Sequence, residues 1–118
     1  GPFVVAALLA AGHEVVCLVR GINKSAAWSR LSSGLAAARL WDPTARGRLE
    51  VACGDVSEEL GMEHEAYVAL ARSVAVVVHL AAKVNLHACY ADHRQINIFG
   101  TISVLRFAAL AGAFVVFV

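Results

Sequence analysis

Runs of apolar residues alternate along the chain with stretches of helical periodicity. Four of the apolar runs predict strands, at residues 14–19, 49–53, 75–82 and 113–118. Those at 14–19 and 75–82 show no alternation of polar and apolar positions, as strands do when helices cover both of their faces. Apolar positions before and between the four strands recur at helical spacing and predict helices at residues 2–11, 25–40, 63–73 and 90–110.

This order of elements indicates βαβ units, joined by right-handed crossovers into a parallel sheet. The predicted fold class is therefore α/β, with a Rossmann-like, doubly wound parallel sheet flanked by helices. A helix such as 2–11 should follow a strand and a glycine-rich turn, and neither precedes it here. Gly1 suits the last glycine of such a turn, where a helix packs closely on a strand. We expect a partial domain whose first strand and glycine-rich turn are missing.

Composition narrows the class of protein. The 118 residues amount to about one domain, and 59 % of them are apolar, which suits a tightly packed α/β sandwich. The net charge of +1 argues against nucleic acid or an anionic membrane as a partner. No apolar run reaches the roughly 18 residues of a membrane span, and neither end resembles a secretory signal. The widely spaced Cys17, Cys53 and Cys89 indicate reduced thiols in the cytoplasm.

The strand at 14–19 is followed by a cation, Arg20. In a nucleotide-binding α/β unit, the residue at the end of the second strand faces the adenosine ribose. An acid there bonds the 2′-hydroxyl, whereas an arginine accommodates a 2′-phosphate. No acid lies between Arg20 and Lys24, so the sequence predicts an NADP(H)-binding domain, with Arg30 on the next helix as a second phosphate contact. As alternatives, Arg20 is a surface cation and Arg30 lies on a solvated helix face.

Two further strand ends hold residues that suit a nucleotide, because ligands bind at the carboxyl ends of parallel strands. Asp55 follows Gly54, and it either accepts a hydrogen bond from the adenine amino group or caps the next turn. Ala81 and Ala82 are small enough to let the backbone approach a ribose, or else they only pack.

Other residues that could carry chemistry have simpler interpretations. Trp28 and Trp41 are interpreted as packing residues, and His79, in an apolar strand, as a core histidine with a satisfied ring. One loose cluster fits no standard zinc spacing, so no metal site is predicted at its members, His87, Cys89 and His93.

Short segments over nearly the whole chain carry a family resemblance: Gly1-Pro2-Phe3, HEVVCLVR at 13–20, Leu40-Trp41-Asp42, VACGDV at 51–56, Leu60-Gly61-Met62, HLAAKVN at 79–85 and INIFGT at 96–101. In their order, and in the long link between the second and third strands, they resemble thioester reductase domains. These domains occur in nonribosomal peptide and polyketide synthases and in carboxylic acid reductases. They are extended short-chain dehydrogenase/reductases of the male-sterility, NAD-binding type.

The resemblance implies NADPH-dependent reductive release of a thioester from the phosphopantetheine arm of an acyl or peptidyl carrier protein. The product is an aldehyde or, after a second reduction, an alcohol. By position, the resemblance implies a role for several residues. Gly1 ends the glycine motif, Arg20 and Arg30 hold the 2′-phosphate, and Asn97 supports the active site. Asp55 and Val56 line the adenine, and beside the ribose run Leu80, Ala81 and Ala82.

Two parts of the family pattern lie outside these residues. One is the first strand with the first two glycines, and the other is the serine, tyrosine and lysine that follow the fifth strand. Neither Tyr67 nor Tyr90 is followed by a lysine four residues on, so the tyrosine–lysine acid pair is not within the chain. We therefore expect residues 1–118 alone to bind cofactor weakly, to catalyse no turnover and to lack the substrate domain. The alternatives are another extended reductase, such as a sugar epimerase or a hydroxysteroid dehydrogenase, and a non-catalytic NADP sensor.

Overall fold

A computed structural model describes residues 1–81, 91 and 94–118. The chain divides into two compact units, Gly1–Gly54 and Asp55–Val118. Each unit contains two described strands that pair in parallel and helices that pack on them. The predicted α/β class with parallel strands is therefore confirmed.

In the first unit, one helix precedes the first strand in the sequence and another follows it. Its elements are α1 (Pro2–Ala10), β1 (Val15–Val19), α2 (Lys24–Ala37), a 3₁₀ helix (Pro43–Arg48) and β2 (Leu49–Cys53). β1 and β2 are parallel, with Val15 opposite Leu49 and Val19 opposite Cys53. The buried core joins these elements through four side chains: Leu9, Leu35, Ala45 and Leu49.

The second unit repeats the parallel pairing. Its elements are a 3₁₀-type turn (Glu58–Gly61), α3 (His64–Ser73), β3 (Val76–His79), a π-helical turn (Gln95–Gly100), α4 (Thr101–Ala111) and β4 (Phe114–Phe117). Val76 lies opposite Phe114 in the parallel pair of β3 with β4. Tyr67 of α3 packs edge-on against Phe107 of α4, with 5.4 Å between the ring centroids. None of the helices in the described ranges has the length and apolar character that a bilayer span requires.

The strand pairs agree with the doubly wound order. In the order 3-2-1-4-5, the second strand pairs with the third and the fourth pairs with the fifth. β1 pairs with β2, and β3 pairs with β4, as that order predicts.

Glycines end two of the helices, and the sequence pattern predicts the first of these ends, at Gly12. Gly12 adopts a φ of +89° after α1, and the N–H of His13 donates to the carbonyl of Leu8 at 3.1 Å. Gly112 adopts a φ of +64° after α4, and the N–H of Ala113 donates to the carbonyl of Ala108 at 2.9 Å. Both ends show the six-to-one bond of a glycine-terminated helix.

Two elements of the second unit differ from the prediction. β3 ends at His79, so Leu80 and Ala81 lie beyond the strand, and Ala82 lies outside the described residues. The segment predicted as one helix over 90–110 contains the π-helical turn at Gln95–Gly100, which hydrophobic periodicity does not distinguish from an α-helix. β4 lies within the predicted range and is largely exposed, with 81 % of the Phe114 surface accessible.

α2 ends at Ala37, three residues before the predicted end. Arg39 adopts a left-handed conformation with a φ of +58°, and the N–H of Leu40 donates to the carbonyl of Leu35 at 2.8 Å. Glycine is the usual residue at this position of a helix end. The prediction was wrong here because an arginine carries no such stop signal.

Replacing Arg39 with glycine removes the steric cost of a left-handed residue that carries a side chain. We expect Arg39→Gly to raise the free energy of unfolding by about 1 kcal/mol. Urea denaturation followed by circular dichroism measures the change. Ala37→Gly, at the last residue of the same helix, is the matched control and should lower the free energy of unfolding by a similar amount. A less stable Arg39→Gly protein would contradict this account of the helix end.

Candidate functional site

Arg20 directly follows β1, at the carboxyl end of the strand. Its side chain is exposed, and its guanidinium makes no hydrogen bond or ion pair with the residues that the structure describes. An arginine in this position can give both of its donor edges to a phosphate. The observed placement is the one that the sequence pattern predicts, and the phosphate contact itself stays a prediction.

The turn after Arg20 is closely packed, which sequence analysis missed. A Cβ atom on Gly21 would lie 2.9 Å from the backbone nitrogen of Ala27 and 3.2 Å from the carbonyl oxygen of Asn23. The thiol of Cys53, at the end of β2, donates to the carbonyl of Gly21 at 2.9 Å. These contacts hold the backbone next to Arg20, and a glycine two residues after the strand was the signal that could have revealed them.

The start of α2 also differs slightly from the expected position. Asn23 is the N-cap residue, and its Oδ1 accepts a hydrogen bond from the N–H of Ala26 at 2.8 Å. Asparagine is among the strongest N-cap residues, so this boundary was readable from the sequence. The helix therefore begins at Lys24, one residue earlier than predicted.

Arg30 lies on α2 with an exposed side chain that makes no hydrogen bond or ion pair within the described ranges. Another face of α2 packs on the unit. Trp28 meets Trp41 edge-on, with 5.8 Å between the ring centroids, and the guanidinium of Arg46 lies 3.8 Å from the centroid of Trp28. The interpretation of both tryptophans as packing residues is confirmed.

Gly1 is the N-cap residue of α1 and is exposed. A Cβ atom there would meet no described atom within 4 Å, so the packing that would require a glycine is not seen among these residues. The assignment of Gly1 to the end of a glycine motif stays a prediction.

In the second unit, Asp55 caps a turn. Its Oδ1 accepts a hydrogen bond from the N–H of Ser57 at 2.9 Å, and its own N–H donates to the carbonyl of Leu60 at 3.0 Å. Glu59 and Leu60, within this turn, adopt left-handed conformations with φ of +49° and +56°. The turn-capping alternative is thus realised, and Oδ2 makes no hydrogen bond with the described residues. The adenine contact stays a prediction.

Val56 packs against Gly100, a glycine of the INIFGT segment. A Cβ atom on Gly100 would lie 2.8 Å from Cγ2 of Val56 and 3.1 Å from its Cβ. Gly100 is buried and ends the π-helical turn that contains Asn97. The structure therefore brings two of the predicted segments together in this unit, those of Val56 and Asn97.

His79 ends β3 and is buried, with 8 % of its surface exposed. Its Nε2 lies 3.3 Å from Oγ1 of Thr101, and its ring packs edge-on against Phe117 with 5.7 Å between centroids. The Thr101 hydroxyl in turn donates to the carbonyl of Asn97 at 2.8 Å. Burial lowers the pKa of His79, so the ring is neutral at pH 7. The prediction of a satisfied core histidine is confirmed.

Only two of the remaining predicted residues, Leu80 and Ala81, are among those that the structure describes. Leu80 is half-buried and Ala81 is exposed, directly after β3. The other positions discussed from the sequence lie outside the described residues: Ala82, His87, Cys89, Tyr90 and His93.

A cavity of about 200 Å³ lies in the second unit, lined by Glu58, Glu59, Tyr67, Ser103 and Arg106. Burial of the phenol, followed by the nearby Glu59, raises the pKa of Tyr67. Tyr67 would need a lysine one helical turn further on to act as the acid of a tyrosine–lysine pair, and that position is Ala71. The cavity therefore does not contain that pair.

A family model described as Male sterility protein, an NAD-binding family, matches residues 1–118. An aldehyde reductase of Aspergillus flavus is 37 % identical over 97 residues, which make up 81 % of this chain and 9 % of that protein. The chain thus spans about a tenth of the length of this curated relative.

Two solved structures share the fold. The terminal R domain from the myxalamid PKS-NRPS biosynthetic pathway matches 99 % of this chain and 30 % of its own, with a TM-score of 0.90 and 24 % identity. The reductase (R) domain of a nonribosomal peptide synthetase from Mycobacterium tuberculosis matches 99 % of this chain and 29 % of its own, with a TM-score of 0.77 and 29 % identity. The predicted Rossmann-like class and the predicted family resemblance are both confirmed.

The contact between Gly100 and Val56 can be tested by adding one methyl group. We expect Gly100→Ala to lower the free energy of unfolding by roughly 1–3 kcal/mol, because the short valine side chain has little freedom to move away. Chemical denaturation measures this change. Gly34→Ala is the control: no atom lies within 4 Å of a Cβ atom there, inside α2, so this change should raise stability by about 1 kcal/mol. Equal changes in the free energy of unfolding for the two substitutions would contradict the close contact between Gly100 and Val56.

Proposed function

The chain belongs to the Male sterility protein family, and we propose that it is the cofactor-binding part of an NADPH-dependent thioester reductase. In this proposal residues 1–118 form a partial NADP-binding Rossmann domain, and the substrate domain is another part of the whole protein. The whole protein releases an acyl or peptidyl thioester from the phosphopantetheine arm of a carrier protein, as an aldehyde or an alcohol. The likeness to a nonribosomal peptide synthetase reductase domain at 29 % identity supports this proposal.

The family is one that binds a nicotinamide cofactor. The choice of NADPH over NADH is our proposal, and one observation carries it. The exposed guanidinium of Arg20 follows the carboxyl end of β1, where a dinucleotide ribose binds in Rossmann folds, and no described residue neutralises it. Because binding a phosphate would not break an existing ion pair of this arginine, its charge favours NADPH, which carries an additional phosphate, over NADH.

The other described residues have proposed roles along the dinucleotide. In the first unit, Arg30 is the second 2′-phosphate contact and Gly1 ends the glycine motif that lies under the pyrophosphate. In the second unit, Asp55 keeps its Oδ2 for the adenine amino group, because the turn uses only Oδ1. The remaining proposed contacts are Val56 at the adenine, Leu80, Ala81 and Ala82 beside the ribose, and Asn97 at the active site.

When bound, the nicotinamide supplies the hydride that reduces the thioester carbonyl. Reduction with cleavage of the carbon–sulfur bond gives an aldehyde and the free thiol of the carrier arm. Asn97 supports the site from the π-helical turn. The proton donor is assigned to another part of the protein, since residues 1–118 contain no tyrosine followed by a lysine four residues on.

Removing the Arg20 guanidinium tests the cofactor preference. In the whole protein, we expect Arg20→Ala to weaken NADPH binding by about 10- to 100-fold, the loss of one charge-assisted phosphate contact, and to leave NADH binding unchanged. Fluorescence or calorimetric titration with each dinucleotide measures both affinities. Arg72→Ala, at an exposed position on α3, is the control and should change neither. If the unaltered protein holds NADH as tightly as NADPH, and Arg20→Ala binds as before, the proposed preference is wrong.

The reaction itself is tested by offering the whole protein an acyl thioester on its carrier protein. We expect NADPH to be consumed and an aldehyde or alcohol to appear, both detected directly by absorbance and mass spectrometry. Carrier protein with an unloaded arm is the control and should leave NADPH unchanged. Tight NADPH binding without any product would favour a cofactor sensor, and consumption of a sugar nucleotide or hydroxysteroid instead would favour the other extended reductases.

A further inference from the structure

A chain of hydrogen bonds connects the end of a strand to the helix turn that contains Asn97. It begins at the buried His79, whose Nε2 lies 3.3 Å from Oγ1 of Thr101. It continues from the Thr101 hydroxyl to the carbonyl oxygen of Asn97, over 2.8 Å. All three residues lie in the second unit. These two hydrogen bonds therefore connect β3 to the π-helical turn through the side chains of His79 and Thr101.

The direction of these bonds follows from the number of hydrogens. A threonine hydroxyl has one hydrogen, and in Thr101 the carbonyl of Asn97 receives it. The hydroxyl can then only accept a hydrogen bond from His79, so Nε2 of the imidazole must carry the hydrogen. The imidazole also packs edge-on against Phe117, with 5.7 Å between the ring centroids.

The carbonyl at the end of this chain belongs to an irregular helix turn. In a continuous α-helix, the N–H of residue 101 would donate to the carbonyl of residue 97. Here the N–H of Thr101 donates to the carbonyl of Ile98, and the Thr101 hydroxyl donates to the carbonyl of Asn97. A side chain thus makes the bond that the backbone would make in a regular helix.

A π turn changes the direction in which the residues before it face, relative to the helix that follows. One residue of an α-helix corresponds to a rotation of about 100° and a rise of about 1.5 Å. Loss of a π turn would rotate the preceding residues by about that angle relative to α4, and single π turns are frequently found at functional sites.

We propose that His79 and Thr101 hold the π-helical turn in the conformation that presents Asn97 to the reaction site, which makes both of them positioning residues. The proposal rests on the proposed function, in which Asn97 supports the active site. Neither side chain needs to contact substrate or cofactor for this role.

The first test needs no substitution. Nitrogen-15 NMR of the whole protein labelled on histidine reports which ring nitrogen carries the hydrogen. At neutral pH we expect His79 to be the neutral tautomer with its hydrogen on Nε2, assigned by comparison with His79→Gln. A hydrogen on Nδ1 alone would leave Nε2 without a hydrogen to donate to Thr101, and this result overturns the proposal.

The second test removes and restores the hydroxyl. In the whole protein, we expect Thr101→Val to lower kcat about 10- to 100-fold, because a misplaced active-site group slows the chemical step, while KM for NADPH changes little. Thr101→Ser keeps the hydroxyl and should restore most of kcat. Thr44→Val is the matched control: its hydroxyl donates to Asp42 at 2.6 Å in the first unit, so it loses a comparable bond without affecting kcat.

Full kcat in a folded Thr101→Val protein overturns the proposal, and so does a loss that Thr101→Ser shares. If Thr101→Val does not fold, the tautomer measurement and a comparison of kcat between His79→Gln and His79→Leu test the proposal instead. Only glutamine keeps a hydrogen-bond donor, so His79→Gln should retain more of kcat than His79→Leu. If the unaltered protein reduces no thioester, the proposed function fails independently. Amide hydrogen exchange over 98–102 then still tests the turn: faster exchange in Thr101→Val than in Thr44→Val supports it, and equal exchange contradicts it.

Discussion

The parallel register of β1 with β2 is the constraint on which the candidate nucleotide site depends. It sets Val19 opposite Cys53, so the two strands end at the same level and the Cys53 thiol reaches the carbonyl of Gly21. The turn that carries Arg20 is fixed between the strand and that bond. A slip by one residue would direct Cys53 to the other face of the sheet and break the contact. The place of the guanidinium therefore follows from strand pairing as much as from the sequence around it.

Strand pairing has the same consequence in the second unit. β3 and β4 set His79 opposite Phe117, and the contact between their rings orients the imidazole toward Thr101. Thr101 in turn bonds to the carbonyl of Asn97 in the π-helical turn, and Val56 packs closely against Gly100 at the end of that turn. A buried neutral imidazole suits this task, because it donates a hydrogen bond without bringing a charge into an apolar region.

The parts of the fold set by local pattern could be predicted from the sequence, whereas the parts set by contacts between distant residues could not. Apolar runs identified all four described strands, and Gly12 marked the end of α1. Arg39 was missed because a left-handed arginine has no compositional signal, and the π turn was missed because its periodicity is close to that of an α-helix. The placement of Arg20 was predictable because it directly follows an apolar run, but the support that Cys53 gives to its turn spans 32 positions in the sequence.

The exposure of β4 has a practical consequence. Phe114 and Phe117 are 81 % and 57 % exposed, in a segment, residues 113–118, that has neither charge nor proline. Short uncharged segments of this kind pair with identical segments of other molecules and form aggregates. A recombinant preparation of residues 1–118 is therefore expected to associate through this strand unless a solubilising fusion partner is attached.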